Sequence, residues 1–178
     1  MLILTGSPGV GKSTVLARAV SALRGRGVSV GGMFSREVRE GASRVGFEIV
    51  DVATAKVGWL AHVNQQSGPQ VGKCSVNVGD LDSIGVQAIN QAIENNDVVV
   101  IDEIGPMELF SQKFKEAAQK ALESSKLVIA VVHWKAQDKL VASSKSRSDA
   151  EVFAVTSLNR EMVHEVLVEK AVAFLKQA

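Results

Sequence analysis

Apolar residues along the chain fall into two alternating patterns, short continuous runs and stripes with helical spacing. Continuous aliphatic runs predict buried strands at residues 1–5, 97–101 and 127–132. Apolar residues three and four positions apart predict amphipathic helices at residues 12–24, 81–93, 107–121 and 158–175. Further strands are predicted at residues 28–38, 47–52, 56–62 and 151–155. Residues 65–73 are rich in Gly, Pro, Ser and Gln and are predicted to form a loop, and Asp80 or Asp82 is expected to cap the following helix.

This alternation of strands and helices predicts an α/β fold with helices on both faces of a mostly parallel central sheet. Residues 32–79 are rich in predicted strands and are expected to form a small β extension of that sheet. Neither a repeat nor a linker interrupts the pattern, so residues 1–178 are expected to form one domain. The polar and basic stretch 136–148 has no clear pattern.

Composition narrows the classes of partner. Lys and Arg number 20 and Asp and Glu number 19, so the net charge of +1 argues against a nucleic-acid partner. A single cysteine, Cys74, allows neither an intramolecular disulfide nor a cysteine-based zinc site. The sequence shows neither an apolar run long enough to span a membrane nor a secretory leader. We therefore expect a cytoplasmic protein without a membrane partner, and a monomer.

A complete phosphate-binding motif, G-x-x-x-x-G-K-S, lies between the first predicted strand and the first predicted helix. Its glycines let successive backbone N–H groups turn inward toward phosphate oxygens, at a helix N-terminus that also favours anions. Within it, Lys12 is expected to reach the β- and γ-phosphates and Ser13 to ligate Mg²⁺. The predicted nucleotide-binding residues are Gly6, Ser7, Pro8, Gly9, Val10, Gly11, Lys12, Ser13 and Thr14.

Two acids, Asp102 and Glu103, follow the apolar strand at residues 97–101, which is the Walker B arrangement. Asp102 is expected to help hold Mg²⁺, through a bound water. Glu103 is expected to orient and activate the water that attacks the γ-phosphate. The alternative is that Glu103 only caps the following helix. Asp97 opens the strand at its other end and is expected to lie away from the site.

A further positive charge is expected at the γ-phosphate, because Lys12 and Mg²⁺ do not cover all of its oxygens. Arg147 is the favoured candidate, since it lies in a small-residue basic stretch, 143–148, that could close over a nucleotide. A solvated surface charge is the alternative for Arg147. His133 follows the strand at 127–132 and is either a sensor of the γ-phosphate or a structural histidine. The other arginines considered are Arg36, Arg39, Arg44 and Arg160.

Taken together, these motifs resemble those of the nucleotide-kinase-related nucleoside-triphosphatases, a P-loop family. The resemblance is carried by residues 6–14, 35–47, 71–73, 102–111 and 152–160, and so extends over essentially the whole chain. It implies a three-layer, RecA-like P-loop fold and slow Mg²⁺-dependent hydrolysis of several nucleoside triphosphates. It also places arginine at positions 39, 44, 147 and 160. The chain departs from the family at Pro106, where lysine is common, and at Cys74, where an aromatic residue is frequent.

Three functions are compatible with the motifs. The first is broad hydrolysis of ATP, GTP, CTP and other nucleoside triphosphates to diphosphate and phosphate, with Lys12, Glu103 and Arg147 as catalytic residues. The second is a kinase that transfers the γ-phosphate to a nucleotide or other small acceptor, which Glu103 argues against. The third is a nucleotide-binding switch without turnover. The sequence favours the first of these.

Overall fold

The computed structural model describes residues 1–177 and contains nine strands in a single sheet. The strands are β1 (Leu2–Thr5), β2 (Val30–Glu40), β3 (Ser43–Asp51), β4 (Val57–His62), β5 (Gln70–Val71), β6 (Cys74–Val76), β7 (Val98–Ile104), β8 (Leu127–Val132) and β9 (Glu151–Ala154). The helices are α1 (Lys12–Gly25), α2 (Val78–Asp80), α3 (Gln87–Asn95), α4 (Gln112–Glu123), α5 (Lys139–Ser146) and α6 (Arg160–Leu175). A π-helical segment, Leu81–Val86, joins α2 to α3, and a 3₁₀ turn, Glu108–Phe110, precedes α4.

The sheet has a parallel half and an antiparallel half. In the order β2-β7-β8-β1-β9 every neighbouring pair is parallel. From β2 outward, β3, β4, β6 and β5 pair antiparallel. The predicted mostly parallel core and its small β extension are therefore both confirmed.

Helices cover both faces of the parallel half, which confirms the predicted three layers. One core cluster lies under α1 and α6 and includes Leu4, Leu16 and Leu167. The other lies under the π-helical segment, α3, α4 and α5, and includes Ile3 and Phe114. Since successive strand residues point to opposite faces, Ile3 and Leu4 of β1 enter different cores. Among residues 1–177, no helix combines the length and the apolar character needed to cross a membrane.

Side-chain caps account for two differences from the predicted elements. The helix predicted to begin at residue 107 begins at Gln112, because the Ser111 hydroxyl accepts a hydrogen bond from the Phe114 N–H (3.0 Å) and ends the preceding turn. The prediction of Asp80 or Asp82 as a cap is wrong, since the Asn77 side chain caps α2 by accepting from the Asp80 N–H. Helix α5 occupies most of the stretch that had no clear pattern.

The parallel strands bring four chain segments to one edge of the sheet. The carboxyl ends of parallel strands meet at the same edge, where ligands bind in open α/β sheets. The phosphate-binding motif follows β1, Asp102 and Glu103 lie near the end of β7, His133 follows β8, and residues 155–159 follow β9. Strand β8 separates β1 from β7, so two strand spacings, about 10 Å, lie between the motif and the two acids.

Candidate nucleotide and magnesium site

The phosphate-binding loop depends on glycine where it leaves β1. Gly6 has φ of +151°, and a Cβ atom there would lie 2.6 Å from the Val155 carbonyl oxygen. Any larger residue would push the loop away from the segment that follows β9. Gly11, with φ of +107°, then turns the chain directly into α1, whose first residue is Lys12. The loop consequently ends at a helix N-terminus, which favours a bound anion.

Lys12 is held across this loop by its own backbone. Its Nζ donates to the carbonyl oxygens of Gly6 (3.1 Å) and Ser7 (3.2 Å), and the residue is only 8% exposed. An ammonium group has three donors, so one N–H remains for a ligand. Ser13 and Thr14, by contrast, are exposed at the start of α1. The structure thus places a prepositioned cation and an accessible hydroxyl side by side.

Asp102 is buried and has unsatisfied hydrogen-bonding capacity. The residue is 1% exposed, and neither of its carboxylate oxygens has a hydrogen-bond partner. Burial raises the pKa of Asp102 to about 7, while the neighbouring Ser13 hydroxyl and Lys12 ammonium lower it and Glu103 raises it. A buried carboxylate beside a hydroxyl, with both oxygens unpaired, is suited to a hard divalent cation such as Mg²⁺. The residues present therefore fit the ion that the motifs imply.

Glu103 is the next residue of β7 and is half-buried. Its side chain folds over Gly105, where a Cβ atom would lie 2.9 Å from the Glu103 Oε1. The peptide bond between Asp102 and Glu103 is cis. The alternative role of Glu103 as a helix cap is wrong, because Ser111 caps α4 and no side chain caps the 3₁₀ turn. The carboxylate of Glu103 therefore does not cap a helix.

A third acid lies close to this pair. Glu108, in the 3₁₀ turn, is 4% exposed. The pKa of Glu108 is raised to about 8, mainly by burial and also by the charges of Glu103 and Asp102, while the backbone N–H groups of Glu108 and Gly105 lower it. Sequence reasoning assigned Glu108 no role, since only the tertiary structure shows that this carboxyl is buried beside the other two.

The cation that the structure brings to Glu103 is Lys145, near the end of α5. Lys145 Nζ donates to the carbonyl oxygens of His133 (2.7 Å) and Trp134 (3.2 Å), which directly follow β8. Burial lowers the pKa of Lys145, and the charge of Glu103 opposes that change. His133 itself is fixed by its backbone, whose N–H donates to the Ile104 carbonyl (3.1 Å). Lys145 stood in the basic stretch 143–148, but nothing in its spacing distinguished it from its neighbours.

Arg147, predicted as a catalytic residue, lies elsewhere. Its guanidinium forms a bidentate pair with Asp149 (2.8 and 3.0 Å), and the Asp149 carbonyl accepts from the N-terminal amine of Met1. Met1 precedes β1, whereas the phosphate-binding loop follows it. The four residues of β1, about 13 Å of strand, therefore separate Arg147 from that loop. The prediction that Arg147 joins the site is corrected, because α5 returns the chain to the amino end of the sheet before residue 147.

The remaining predicted residues divide between the site and the surface. Arg160 lies against the loop, with its Cδ 3.6 Å from where a Gly11 Cβ would be. Arg39 and Arg44 pair with Glu37 near the tip of the β2–β3 hairpin. Asp97 accepts from the Ser29 hydroxyl (2.6 Å) at the amino end of β7, which agrees with its predicted distance from the site. Cys74 is buried in a small cluster with Ala61 and Val76.

Comparison with known proteins places this geometry in a family. The family model described as NTPase matches residues 1–168. Nucleoside-triphosphatase THEP1 of Thermofilum pendens is 46% identical over 90% of this chain and 89% of its own. The protein of the same name from Methanothermobacter thermautotrophicus is 44% identical over 94% of both chains.

Two solved structures share the fold. The crystal structure of THEP1 from the hyperthermophile Aquifex aeolicus superposes with a TM-score of 0.83 at 27% identity, over 96% of this chain and 99% of that one. The solution structure of a human cancer-related nucleoside triphosphatase superposes with a TM-score of 0.80 at 31% identity, over 95% of each chain. The fold, in which β8 lies between the strand before the loop and the strand that carries the acids, is therefore shared with these two solved structures.

Proposed function

The chain belongs to the NTPase family, and we propose that it hydrolyses nucleoside triphosphates, ATP, GTP and CTP among them, to nucleoside diphosphate and phosphate with Mg²⁺. One observation carries the proposal. Asp102 presents a buried carboxylate with no protein partner, and it does so beside Ser13, Lys12 and a second acid, Glu103. A protein that only bound nucleotide would not need this second acid at the γ-phosphate.

Binding of the phosphates falls to the loop after β1. Its backbone N–H groups and the free N–H of Lys12 would hold the β- and γ-phosphate oxygens. The Ser13 hydroxyl and the Asp102 carboxylate would hold the Mg²⁺ ion, which supplies charge neutralisation at the triphosphate oxygens. Asp102 must be ionised for this, and the positive charge of Lys12 favours that state. Because Lys12 is prepositioned, little side-chain entropy is lost when the phosphates arrive.

The chemical step needs a base and a charge that matches the transition state. Glu103 orients the attacking water and accepts its proton, since it is adjacent to Asp102 and has no capping role. Lys145 supplies positive charge on the same side, from a position fixed by two carbonyl oxygens. In this assignment Lys145 takes the part that the sequence suggested for Arg147. Preorganised charge of this kind stabilises the transition state because it needs no rearrangement during the reaction.

The alternative, transfer of the γ-phosphate to an acceptor, has less support. The relatives reported above are named as nucleoside triphosphatases. In a kinase, a base next to the Mg²⁺ aspartate would also activate water, and the triphosphate would then be hydrolysed without transfer to the acceptor.

The decisive experiment compares phosphate release from ATP, GTP and CTP by the wild type, Glu103→Gln and Asp97→Asn. Glu103→Gln should lose about 10²-fold or more in kcat while still binding nucleotide, because it removes only the base. Asp97→Asn is the matched control at the other end of β7 and should leave kcat unchanged. Equal turnover by the wild type and Glu103→Gln would contradict the assignment of the base. Product that appears only with an added acceptor would identify a kinase.

A further inference from the structure

The turn that joins β7 to α4 carries a buried acid to which the proposed mechanism gives no part. In this turn the Leu109 N–H donates to the Gly105 carbonyl (3.0 Å), and the Ser111 N–H donates to the Glu108 carbonyl (3.0 Å). Glu108 is 4% exposed, although glutamate is rarely buried without a partner. Burial of an unpaired carboxyl costs free energy, so a partner for Glu108 within the protein is expected.

Glu108 and Glu103 converge on the same residue, Gly105. A Cβ atom on Gly105 would lie 2.9 Å from the Glu103 Oε1 and 3.3 Å from its Cδ, so the Glu103 carboxyl fills the space of a side chain there. The pKa of Glu108 is raised mainly by burial, and hydrogen bonding from the Gly105 N–H opposes that rise. The Glu108 carboxyl thus lies at the amide nitrogen of Gly105, two covalent bonds from the Cβ position beside which Glu103 lies.

The far end of the turn is anchored. The Ser111 hydroxyl accepts from the Phe114 N–H (3.0 Å) and donates to the Asp82 carboxylate of the π-helical segment. The segment that carries Glu108 is therefore attached to β7 on one side and to α4 on the other. A side chain on such a segment can hold a neighbouring group in place, because its own position is already fixed.

The two carboxyl groups are complementary as donor and acceptor. Burial and then the charge of Glu103 raise the pKa of Glu108, so Glu108 keeps its proton at neutral pH. A protonated carboxyl group has an O–H donor, whereas a carboxylate has only acceptors.

We propose that Glu108 is a positioning residue for the base, whose carboxyl O–H donates to the Glu103 carboxylate, directly or through one water, and aims it at the attacking water. This inference rests on the proposed function and adds a second carboxyl to it. The proton of Glu108 stays on Glu108 throughout, and Glu103 alone takes the proton of the attacking water. Loss of Glu108 should therefore slow the chemical step and leave nucleotide binding unchanged, since the phosphates are held by the loop after β1.

The test compares Glu108→Met with Glu108→Gln. Methionine fills the same space but has no N–H or O–H donor, whereas glutamine keeps a donor at the same position. Glu108→Met should lower kcat for phosphate release from MgATP about tenfold or more, with the dissociation constant of MgATP within about twofold of the wild type. Glu108→Gln should recover most of that loss. Unchanged MgATP binding shows that each variant is folded.

A double variant separates positioning from a structural role. Glu108→Met should cause no further loss of kcat in the Glu103→Gln background, because Glu108 acts only through Glu103. A further loss there overturns the proposal, as do wild-type turnover by Glu108→Met and equal losses in the methionine and glutamine variants. Weaker MgATP binding at unchanged kcat also overturns it, since Glu108 would then support the Mg²⁺ site.

The failure of this inference differs from the failure of the proposed function. A wild type that releases no phosphate refutes the hydrolase, and the positioning role with it. Phosphate release that Glu103→Gln abolishes and Glu108→Met leaves intact refutes the positioning role alone.

Discussion

Replacing the buried acid Glu108 with glutamine should remove a large part of the pH dependence of folding. Glu108 is 4% exposed, and its pKa rises from an ordinary 4.5 to about 8 in the folded protein. The folded state therefore holds a proton on this carboxyl between pH 4.5 and 8, while the unfolded state has released it. Folding takes up a proton in that window, so stability falls as the pH rises through it.

The magnitude follows from the two pKa values. At 1.36 kcal/mol for each tenfold change in proton affinity, a rise from 4.5 to about 8 corresponds to on the order of 4–5 kcal/mol. By this amount Glu108 makes the free energy of unfolding larger below pH 4.5 than above pH 8. Glutamine has the same shape and stays neutral throughout. The difference in unfolding free energy between Glu108→Gln and the wild type should therefore grow by a few kcal/mol, in favour of the variant, from pH 5 to pH 9.

Denaturant unfolding of both proteins at pH 5, 7 and 9, without nucleotide and with Mg²⁺ removed, measures this difference. The pKa of Asp102 is also raised, to about 7, so Asp102 likewise lowers the free energy of unfolding as the pH rises, and it does so in both proteins. Only the comparison between them isolates Glu108. Parallel stability profiles for the two proteins would refute the reasoning, because they would mean that Glu108 titrates in the folded protein as it does when unfolded.

Two further comparisons test the site and the sheet. Lys145→Met should lower kcat by at least tenfold, because it removes the cation near Glu103. Arg147→Ala should leave kcat within about twofold of the wild type, since Arg147 pairs with Asp149 instead. Phosphate release at saturating MgATP measures both values, and a slower Arg147→Ala variant would contradict the assignment. Gly32→Ala should destabilise the protein by about 3 kcal/mol or more, because its Cβ would lie 2.0 Å from the Val100 carbonyl oxygen and its φ is +114°. Gly25→Ala is the control, since no atom lies within 4 Å of the added Cβ. Equal melting temperatures for the two variants would contradict the close approach of β2 to β7.

Much of the site could be read directly from the sequence, because it is local chemistry. The loop from Gly6 to Ser13 needs particular residue types at fixed spacing, with a strand before it and a helix after it, and all of these are adjacent in the chain. Asp102 and Glu103 were likewise marked by the apolar strand that carries them. The structure brings Lys12, Ser13 and the two acids to one edge, as the parallel arrangement implied.

The cations and the third acid required the tertiary structure. Lys145 and Arg147 are two residues apart in one basic stretch, yet Lys145 reaches the carboxyl edge of the sheet and Arg147 the amino edge. Glu108 stands in a sequence block that gives no sign of its burial. Which edge of the sheet each side chain reaches depends on contacts outside the basic stretch, with the residues after β8 for Lys145 and with Asp149 at the chain start for Arg147.

The sequence by itself thus determined the phosphate loop, the acids after β7 and the alternation of strands and helices. Each is a property of neighbouring residues, set by backbone conformation and by the period of the apolar pattern. Only the tertiary structure decided the strand order, the burial of Glu108 and the cation at Glu103. These depend on how separate elements pack across the sheet, and a long side chain on a short helix can reach either edge until that packing is fixed.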